Sequence, residues 1–170
     1  FHGFSERVLR QHGLEIGLNP EFKLLDSTAQ WVFLKKNLES LDLKYYHSAG
    51  NPNKFISELL THFSRLKDEN ISSAEYKKVV DKLVQESSSE VEEVLEMEKL
   101  QELSSAYTLY NKLLIENNFL DFGDLINYTI KLFKERPNIL KLYQKKFKYL
   151  MVDEFQDTNF AQYELIKILA

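Results

Sequence analysis

Apolar residues recur at helical spacing through the longest patterned stretch of this chain, residues 89–117. Steps of three and four residues place apolar side chains on one face of an α-helix, here roughly 40 Å long at about 1.5 Å per residue. The 170 residues include only 5 Gly and 3 Pro, the residues that most often interrupt helices. These features predict a mostly α-helical fold. The apolar positions are Val91, Val94, Leu95, Leu103, Ala106, Tyr107, Tyr110, Leu113 and Leu114.

Polar residues mark the expected starts of further helices. Ser27 with Gln30, and Ser72 with Glu75, have the spacing of a capping box, in which two side chains satisfy free backbone N–H groups of the first turn. Asp121 is a third expected cap, because a carboxylate also interacts favourably with the positive end of the helix dipole. Helices are therefore predicted to begin near each of these residues.

A different pattern lies near the C-terminus, where Tyr149 to Val152 form a short unbroken apolar run. Such a run is typical of a strand buried on both faces of a parallel sheet. Asp153 and Glu154 follow where that strand would end, and open α/β sheets bind their ligands at the carboxyl ends of strands. A Mg²⁺ ion needs a carboxylate there, and a hydrolytic water needs a second one. The pattern therefore predicts a Walker B element of a P-loop NTPase.

Three longer strings resemble signatures of the UvrD/Rep-type superfamily 1 DNA helicases, in the order in which that family has them. Val152-Asp-Glu-Phe-Gln-Asp-Thr-Asn159 resembles motif II, and Phe1-His-Gly-Phe-Ser-Glu-Arg-Val-Leu-Arg10 resembles motif Ib. Between them, Leu120-Asp-Phe-Gly-Asp-Leu-Ile126 resembles an Asp-Phe-Asp-Asp-Leu segment, with Gly123 in place of an acid. No role that the family assigns to that position is carried over to Gly123.

The resemblance implies a mostly α fold with two parts. Residues 1–147 would form a helical accessory (1B-like) domain that begins in motif Ib. Residues 148–170 would be a strand–helix piece of the RecA-like α/β ATPase domain and carry motif II. Because a lone strand has no partners, we expect non-native pairing or disorder after about Lys148.

The resemblance also implies roles for the residues of motif II. Asp153 would hold Mg²⁺, Glu154 would activate the attacking water, and Gln156 would sense the γ-phosphate of ATP. Asp157 and Thr158 are instead expected to cap the following helix, since both residue types satisfy free N–H groups.

Candidate DNA contacts lie mainly in the first helix, predicted over about residues 4–12. The place of His2 in the Phe-His-Gly-Phe string favours a contact with single-stranded DNA. Arg7 and Arg10 lie about one turn apart and could meet phosphates, although a solvated helix face explains them nearly as well. Lys67 belongs to a Lys-Asp-Glu turn that resembles one in the family, and it is a further DNA candidate. A cation that ends a helix is the simpler interpretation of Lys67.

The resulting functional prediction is part of an ATP-dependent 3′–5′ DNA helicase or translocase that uses ATP and Mg²⁺. Its substrates would be single-stranded DNA and junctions of single- and double-stranded DNA, in repair or recombination and with proteins of those processes as possible partners. The sequence contains no Gly-x-x-x-x-Gly-Lys-Ser/Thr loop, so we expect a fragment of a larger protein that does not hydrolyse ATP alone.

Two alternatives stay open. One is the motor subunit of an AddA/RecB-like helicase-nuclease, in which the same motifs occur. The other is a non-enzymatic helical module that binds DNA or protein. Zero Cys and the lack of a long apolar run predict a cytoplasmic protein without a membrane partner. The formal net charge of -4 does not by itself indicate nucleic-acid binding.

Overall fold

The computed structural model describes residues 1–46, 50–51, 53–87 and 91–170. Within these residues the chain is mostly helical, as predicted, and two short strands pair in parallel. The Asn51-Pro52 pair predicts the start of a helix, since Pro is tolerated in a first turn, but Pro52 lies outside the described residues. The elements are α1 (His2–His12), β1 (Lys23–Leu24), α2 (Ser27–Lys36), α3 (Ile56–Asp68), α4 (Ser73–Glu86), α5 (Val91–Glu116), β2 (Phe119–Leu120), α6 (Phe122–Glu135), α7 (Pro137–Lys146) and α8 (Phe160–Leu169), with short 3₁₀ helices at Gly13–Ile16, Leu38–Leu41 and Phe155–Asp157.

The chain forms two compact units whose bounds differ from the predicted division at residue 147. Unit 1 comprises residues 1–25, 67–70 and 118–170, and unit 2 comprises residues 26–66 and 71–117. The C-terminal helix α8 belongs to unit 1 because its Ala161 and Leu165 are buried in the same apolar core as residues of α1 and α6. That core contains Val8, Leu9, Leu18, Phe22, Leu120, Leu125, Ile126, Ile130, Leu132, Phe133, Ile139, Tyr143, Ala161 and Leu165.

Strands β1 and β2 join distant parts of unit 1. Lys23 pairs with Phe119 and Leu24 with Leu120 in parallel register. The ladder is extended by a hydrogen bond from the Leu25 N–H to the Leu120 carbonyl at 2.8 Å. The chain thus leaves unit 1 at residue 25 and returns to it at residue 118, with only the turn 67–70 contributed in between.

Unit 2 is built on α2, α4, α5 and most of α3. Its core includes Phe63, stacked against Tyr110 with ring centroids 5.1 Å apart, and also near Tyr107. The predicted capping box of Ser72 and Glu75 is confirmed at the start of α4. At α2, however, the cap is Asp26, whose carboxylate accepts the Ala29 N–H at 2.8 Å; the predicted cap Ser27 is wrong by one residue.

The predicted buried strand at residues 149–152 is not formed. These residues have no regular secondary structure and pair with no strand in the part of the chain that the structure describes, and Tyr149 and Met151 are 89% and 94% exposed. The expected non-native pairing after Lys148 is likewise not seen among the described residues. An apolar strand is buried only where neighbouring strands and helices cover it.

No described helix is both long enough and apolar enough to cross a membrane.

Candidate functional site

The acidic loop predicted as the catalytic element lies between residues 149–152 and α8. The side chains of Asp153 and Glu154 are exposed in a turn, and Phe155–Asp157 form one 3₁₀ turn. Glu154 has φ 50° and ψ 45°, a left-handed conformation that costs a residue with a side chain about 1 kcal/mol. Strain of this kind concentrates at functional sites, which makes Glu154 a candidate on geometry as well as on sequence.

The loop brings together the three residues that the sequence singled out. The Glu154 N–H donates to the Asp153 carboxylate at 3.0 Å, and the Gln156 side-chain amide donates to the Glu154 carboxylate. An ionised carboxylate has about four acceptor sites. Glu154 can therefore accept this amide bond and still take a proton from a water molecule. In the described part of the chain, no three acidic or histidine side chains converge as a ready-made metal site.

The cap of α8 is one residue beyond the predicted caps. Asn159 Oδ1 accepts the Gln162 N–H at 2.9 Å, whereas the Thr158 hydroxyl donates to the Phe155 carbonyl at 2.8 Å. The expectation that Asp157 and Thr158 cap this helix is therefore wrong. The Asn159-x-x-Gln162 spacing was a visible signal, since Asn is among the strongest N-caps and Gln suits the third helical position.

His2 lies half-buried at the start of α1. Its ring meets the edge of the Phe122 ring, with centroids 5.4 Å apart. Burial lowers the pKa of His2, and the nearby Asp68 carboxylate acts in the opposite direction. A neutral imidazole stacks or forms neutral hydrogen bonds, so His2 suits a base or sugar better than a phosphate.

The two arginines of α1 differ in their surroundings. Arg10 donates to the Glu6 carboxylate at 2.8 Å and to the Pro20 carbonyl at 2.9 Å, and its guanidinium lies 4.4 Å from the Phe22 ring centre. Arg7 is exposed, and none of the ion pairs among the described residues involves it. The geometry therefore favours Arg7 over Arg10 as a phosphate contact.

Lys67 occupies a position at odds with the predicted DNA contact. Its side chain is 3% exposed, and its ammonium lies 2.6 Å from an oxygen of Asp121 and 2.8 Å from one of Asp124. An enclosed ammonium cannot reach a DNA phosphate without leaving two buried carboxylates unpaired. Lys67 thus closes a buried ionic cluster, which we call the Lys67 cluster (Lys67, Asp121 and Asp124).

The Lys67 cluster sits on the first turn of α6. Asp121 accepts the Asp124 N–H at 3.0 Å, and Asp124 accepts the Asp121 N–H at 3.1 Å, so the predicted cap Asp121 is confirmed as half of a capping box. Asn127 donates its side-chain amide to the Lys67 carbonyl at 3.1 Å. These bonds fix the turn 67–70 within unit 1.

The Lys67 cluster makes stability depend on pH. Burial and the neighbouring Asp121 raise the pKa of Asp124 from 3.8 to about 6, despite Lys67. Between pH 3.8 and about 6, the Asp124 carboxyl is protonated in the folded chain but already ionised in the unfolded chain. Its contribution to the free energy of unfolding therefore falls as the pH rises from about 4 to 6. The loss is at most about 3 kcal/mol. Urea denaturation of Asp124→Asn at several pH values should lack this component, whereas the exposed-site control Asp81→Asn should retain it.

Gly123 passes close to the stem of Lys67. A Cβ placed on Gly123 would lie 2.8 Å from Lys67 Cβ and 3.0 Å from its Cδ. We expect Gly123→Ala to lower the free energy of unfolding by about 1 kcal/mol, because overpacking outweighs the gain in helix propensity. Gly3→Ala in α1 is the matched control, since its nearest atom is 3.8 Å away. A urea denaturation midpoint raised by both substitutions would contradict the overpacking argument.

Two further residues, Asp68 and Asn159, lie in strings that the sequence singles out but have no predicted role. Asp68, the residue after Lys67, accepts a hydrogen bond at 2.6 Å from the side-chain amide of Asn159. The contact joins the turn 67–70 to the start of α8. Its partners are 91 positions apart, so no local pattern indicates it.

Comparison with protein families and with curated proteins gives a consistent result. The family model described as the UvrD/REP helicase N-terminal domain matches residues 1–170. Relatives named ATP-dependent DNA helicase PcrA are 34% identical in Leuconostoc citreum and 37% identical in Bacillus subtilis (strain 168), over 171 residues in each case. The protein of that name in Staphylococcus aureus (strain Mu50 / ATCC 700699) is 36% identical over 172 residues. Each alignment covers 100% of this chain and 20% of the relative, so the chain spans about one fifth of their length.

Proposed function

This chain belongs to the UvrD/REP helicase N-terminal domain family, and we propose that its parent protein is an ATP-dependent DNA helicase or translocase. The observation that carries the proposal is the loop in which Glu154 is hydrogen-bonded to both Asp153 and Gln156. The relatives named as ATP-dependent DNA helicases support it. Movement in the 3′ to 5′ direction, a role in repair or recombination, and a cytoplasmic location are finer parts of the same proposal.

The donor set of the loop fits a magnesium nucleotide. Mg²⁺ takes oxygen ligands and is commonly bound through one or two carboxylates together with water and nucleotide phosphates. Asp153 would hold the ion, with Mg²⁺-ATP supplying the phosphoryl group that is transferred to water. Glu154 accepts the proton of the attacking water. Gln156 orients the Glu154 carboxylate and responds to the presence of the γ-phosphate.

For the nucleic acid, the geometry supports His2 and Arg7 as contacts. His2 offers an imidazole whose pKa is lowered by burial, and Arg7 offers an exposed guanidinium on the same helix. Arg10 would contribute mainly by holding α1 to the Pro20–Phe22 segment. Single-stranded DNA and its junctions with duplex are the proposed substrates.

We assign the two units to parts of the motor on the same basis. Unit 1 carries the acidic loop and would belong to the first RecA-like domain. Unit 2, which occupies residues 26–66 and 71–117, would be the accessory domain inserted into it. This assignment moves the proposed accessory domain from residues 1–147 to a narrower and internal range.

The proposal is tested by the ATPase activity of the full-length parent protein with and without single-stranded DNA, followed by strand displacement on duplexes with a 3′ or 5′ overhang. We expect turnover that rises with DNA and unwinding only from the 3′ overhang. Wild-type protein that binds DNA but never hydrolyses ATP would favour the non-enzymatic module. Unwinding from the 5′ overhang would overturn the proposed direction alone.

A further inference from the structure

The acidic loop is connected to the rest of unit 1 through the start of α8. Within the described part of the chain, the hydrogen bonds of residues 153–158 close inside the loop: Glu154 to Asp153, Asp157 to the Glu154 carbonyl, and Thr158 to the Phe155 carbonyl. Beyond the loop, the Phe155 ring contacts the Tyr163 ring of α8, with centroids 6.5 Å apart, so the loop is attached to α8. Its place is set where the chain enters α8, at Asn159.

Asn159 uses both ends of its side-chain amide. Its oxygen caps α8 by accepting the Gln162 N–H at 2.9 Å, and its nitrogen donates to Asp68 Oδ1 at 2.6 Å. The cap fixes Asn159 relative to α8, and the bond to Asp68 fixes it relative to the turn 67–70. A short hydrogen bond to a charged acceptor is stronger than one between neutral groups.

Asp68 is itself held firmly on the chain. The preceding residue, Lys67, is anchored through its ammonium to Asp121 and Asp124 and through its carbonyl to Asn127. The turn then closes with the Asn70 N–H donating to the Lys67 carbonyl at 2.9 Å, with Asn70 in the left-handed region at φ 53°. Asp68 therefore presents its carboxylate from a backbone that is fixed to the first turn of α6.

We propose that Asp68 is a positioning residue, whose carboxylate holds Asn159 and thereby places the loop 153–158 that carries Glu154. The groups that face Asp68 are Asn159, His2 and the carboxylates of Glu69 and Asp121. His2 is also a proposed DNA contact, so the Asp68 carboxylate is near both a proposed DNA contact and the residue that holds the loop. The effect of Asp68 on catalysis rests on the proposed function, whereas its effect on the loop does not.

The experiment uses the full-length parent protein and two readouts. The first is hydrogen–deuterium exchange of the amides of residues 155–163, and the second is DNA-stimulated ATP turnover with kcat and KM measured separately. Asp68→Ala removes the acceptor, Asp68→Asn keeps an acceptor oxygen, and Glu69→Ala is the matched control, since Glu69 is the exposed carboxylate of the same turn.

We expect Asp68→Ala to speed exchange of these amides by about tenfold. It should lower kcat by about tenfold through misplacement of the loop, with KM for ATP changed less than about twofold. Asp68→Asn and Glu69→Ala should resemble the wild type in both readouts. A purely structural role would change thermal stability without a selective loss of kcat.

A reciprocal exchange of the two residues sharpens the test. Asn159→Asp alone sets two carboxylates against each other and should impair the loop as Asp68→Ala does, although Asp is an equally good cap for α8. Combining Asp68→Asn with Asn159→Asp restores one donor and one acceptor, and should recover kcat to within about threefold of the wild type.

Exchange and kcat both unchanged in Asp68→Ala, or no recovery in the combined variant, would overturn the inference. If the wild type shows no ATP turnover, the proposed function fails. The exchange rates alone then decide whether Asp68 positions the loop.

Discussion

Replacing Glu154 with Gln is expected to reduce DNA-stimulated ATP hydrolysis by the full-length parent protein by at least about a hundredfold, the lower end of what a general base contributes. Glutamine has the same shape as glutamate and keeps an acceptor oxygen for the Gln156 amide, so the loop should retain its bonds. What is lost is the carboxylate that can take a proton from water. The substitution thus removes the chemistry and leaves the geometry.

ATP binding separates this expectation from a general loss of structure. The affinity of Glu154→Gln for a fluorescent ATP analogue should stay within a few-fold of the wild type, because the proposed Mg²⁺ ligand Asp153 is unchanged. Glu135→Gln, at the exposed end of α6, is the matched control and should keep full turnover. Turnover that survives in Glu154→Gln would remove Glu154 from the hydrolytic role while leaving the family assignment intact.

Features of the fold that depend on residues close together in the sequence were predictable. Helical spacing indicated α5, and the caps Ser72 and Asp121 were visible because a cap and its partner lie within one turn. The grouping of Asp153, Glu154 and Gln156 was visible for the same reason, since they lie within four positions of the sequence; their catalytic roles stay a prediction.

Features that depend on distant partners were not predictable from one sequence. Strands β1 and β2 pair in parallel, and beside them the Asn118 side chain donates to the Glu21 carbonyl, 97 positions away. Unit 1 is interrupted after residue 25 and resumes at residue 118, and no change in composition marks these two bounds. The prediction of a buried strand at residues 149–152 was wrong, because a strand is buried only when other segments pair with it and cover it. An apolar run shows that a segment favours burial, but the sequence of the run does not show which segments will pack against it.

The same reasoning explains the prediction for Lys67. A lysine near a helix end, followed by Asp and Glu, is most often solvated, and it is enclosed here by the start of α6, where Asp121, 54 positions away, and Asp124 approach it. A buried ammonium between two carboxylates stabilises the fold mainly by neutralising their charge. Removing it should therefore have the largest effect on stability of any single substitution considered for this chain.

We expect Lys67→Met to lower the free energy of unfolding of the 170-residue chain by about 3–5 kcal/mol, measured by urea denaturation at pH 7. Methionine approximates the length of the lysine stem, so the loss reports mainly the missing charge rather than a cavity. An exposed lysine of α7 provides the control: Lys141→Met should change stability by less than about 0.5 kcal/mol.

If Lys67→Met lowers stability through unpaired charges rather than through altered packing, a second result is expected. If the cost of Lys67→Met arises from two unpaired buried carboxylates, then adding Asp121→Asn and Asp124→Asn should recover at least about half of it, since removing a whole buried ionic group is often close to neutral. Asparagine is also an effective cap, so the start of α6 should persist. A triple variant less stable than Lys67→Met alone would show instead that the carboxylates stabilise α6 independently of the lysine.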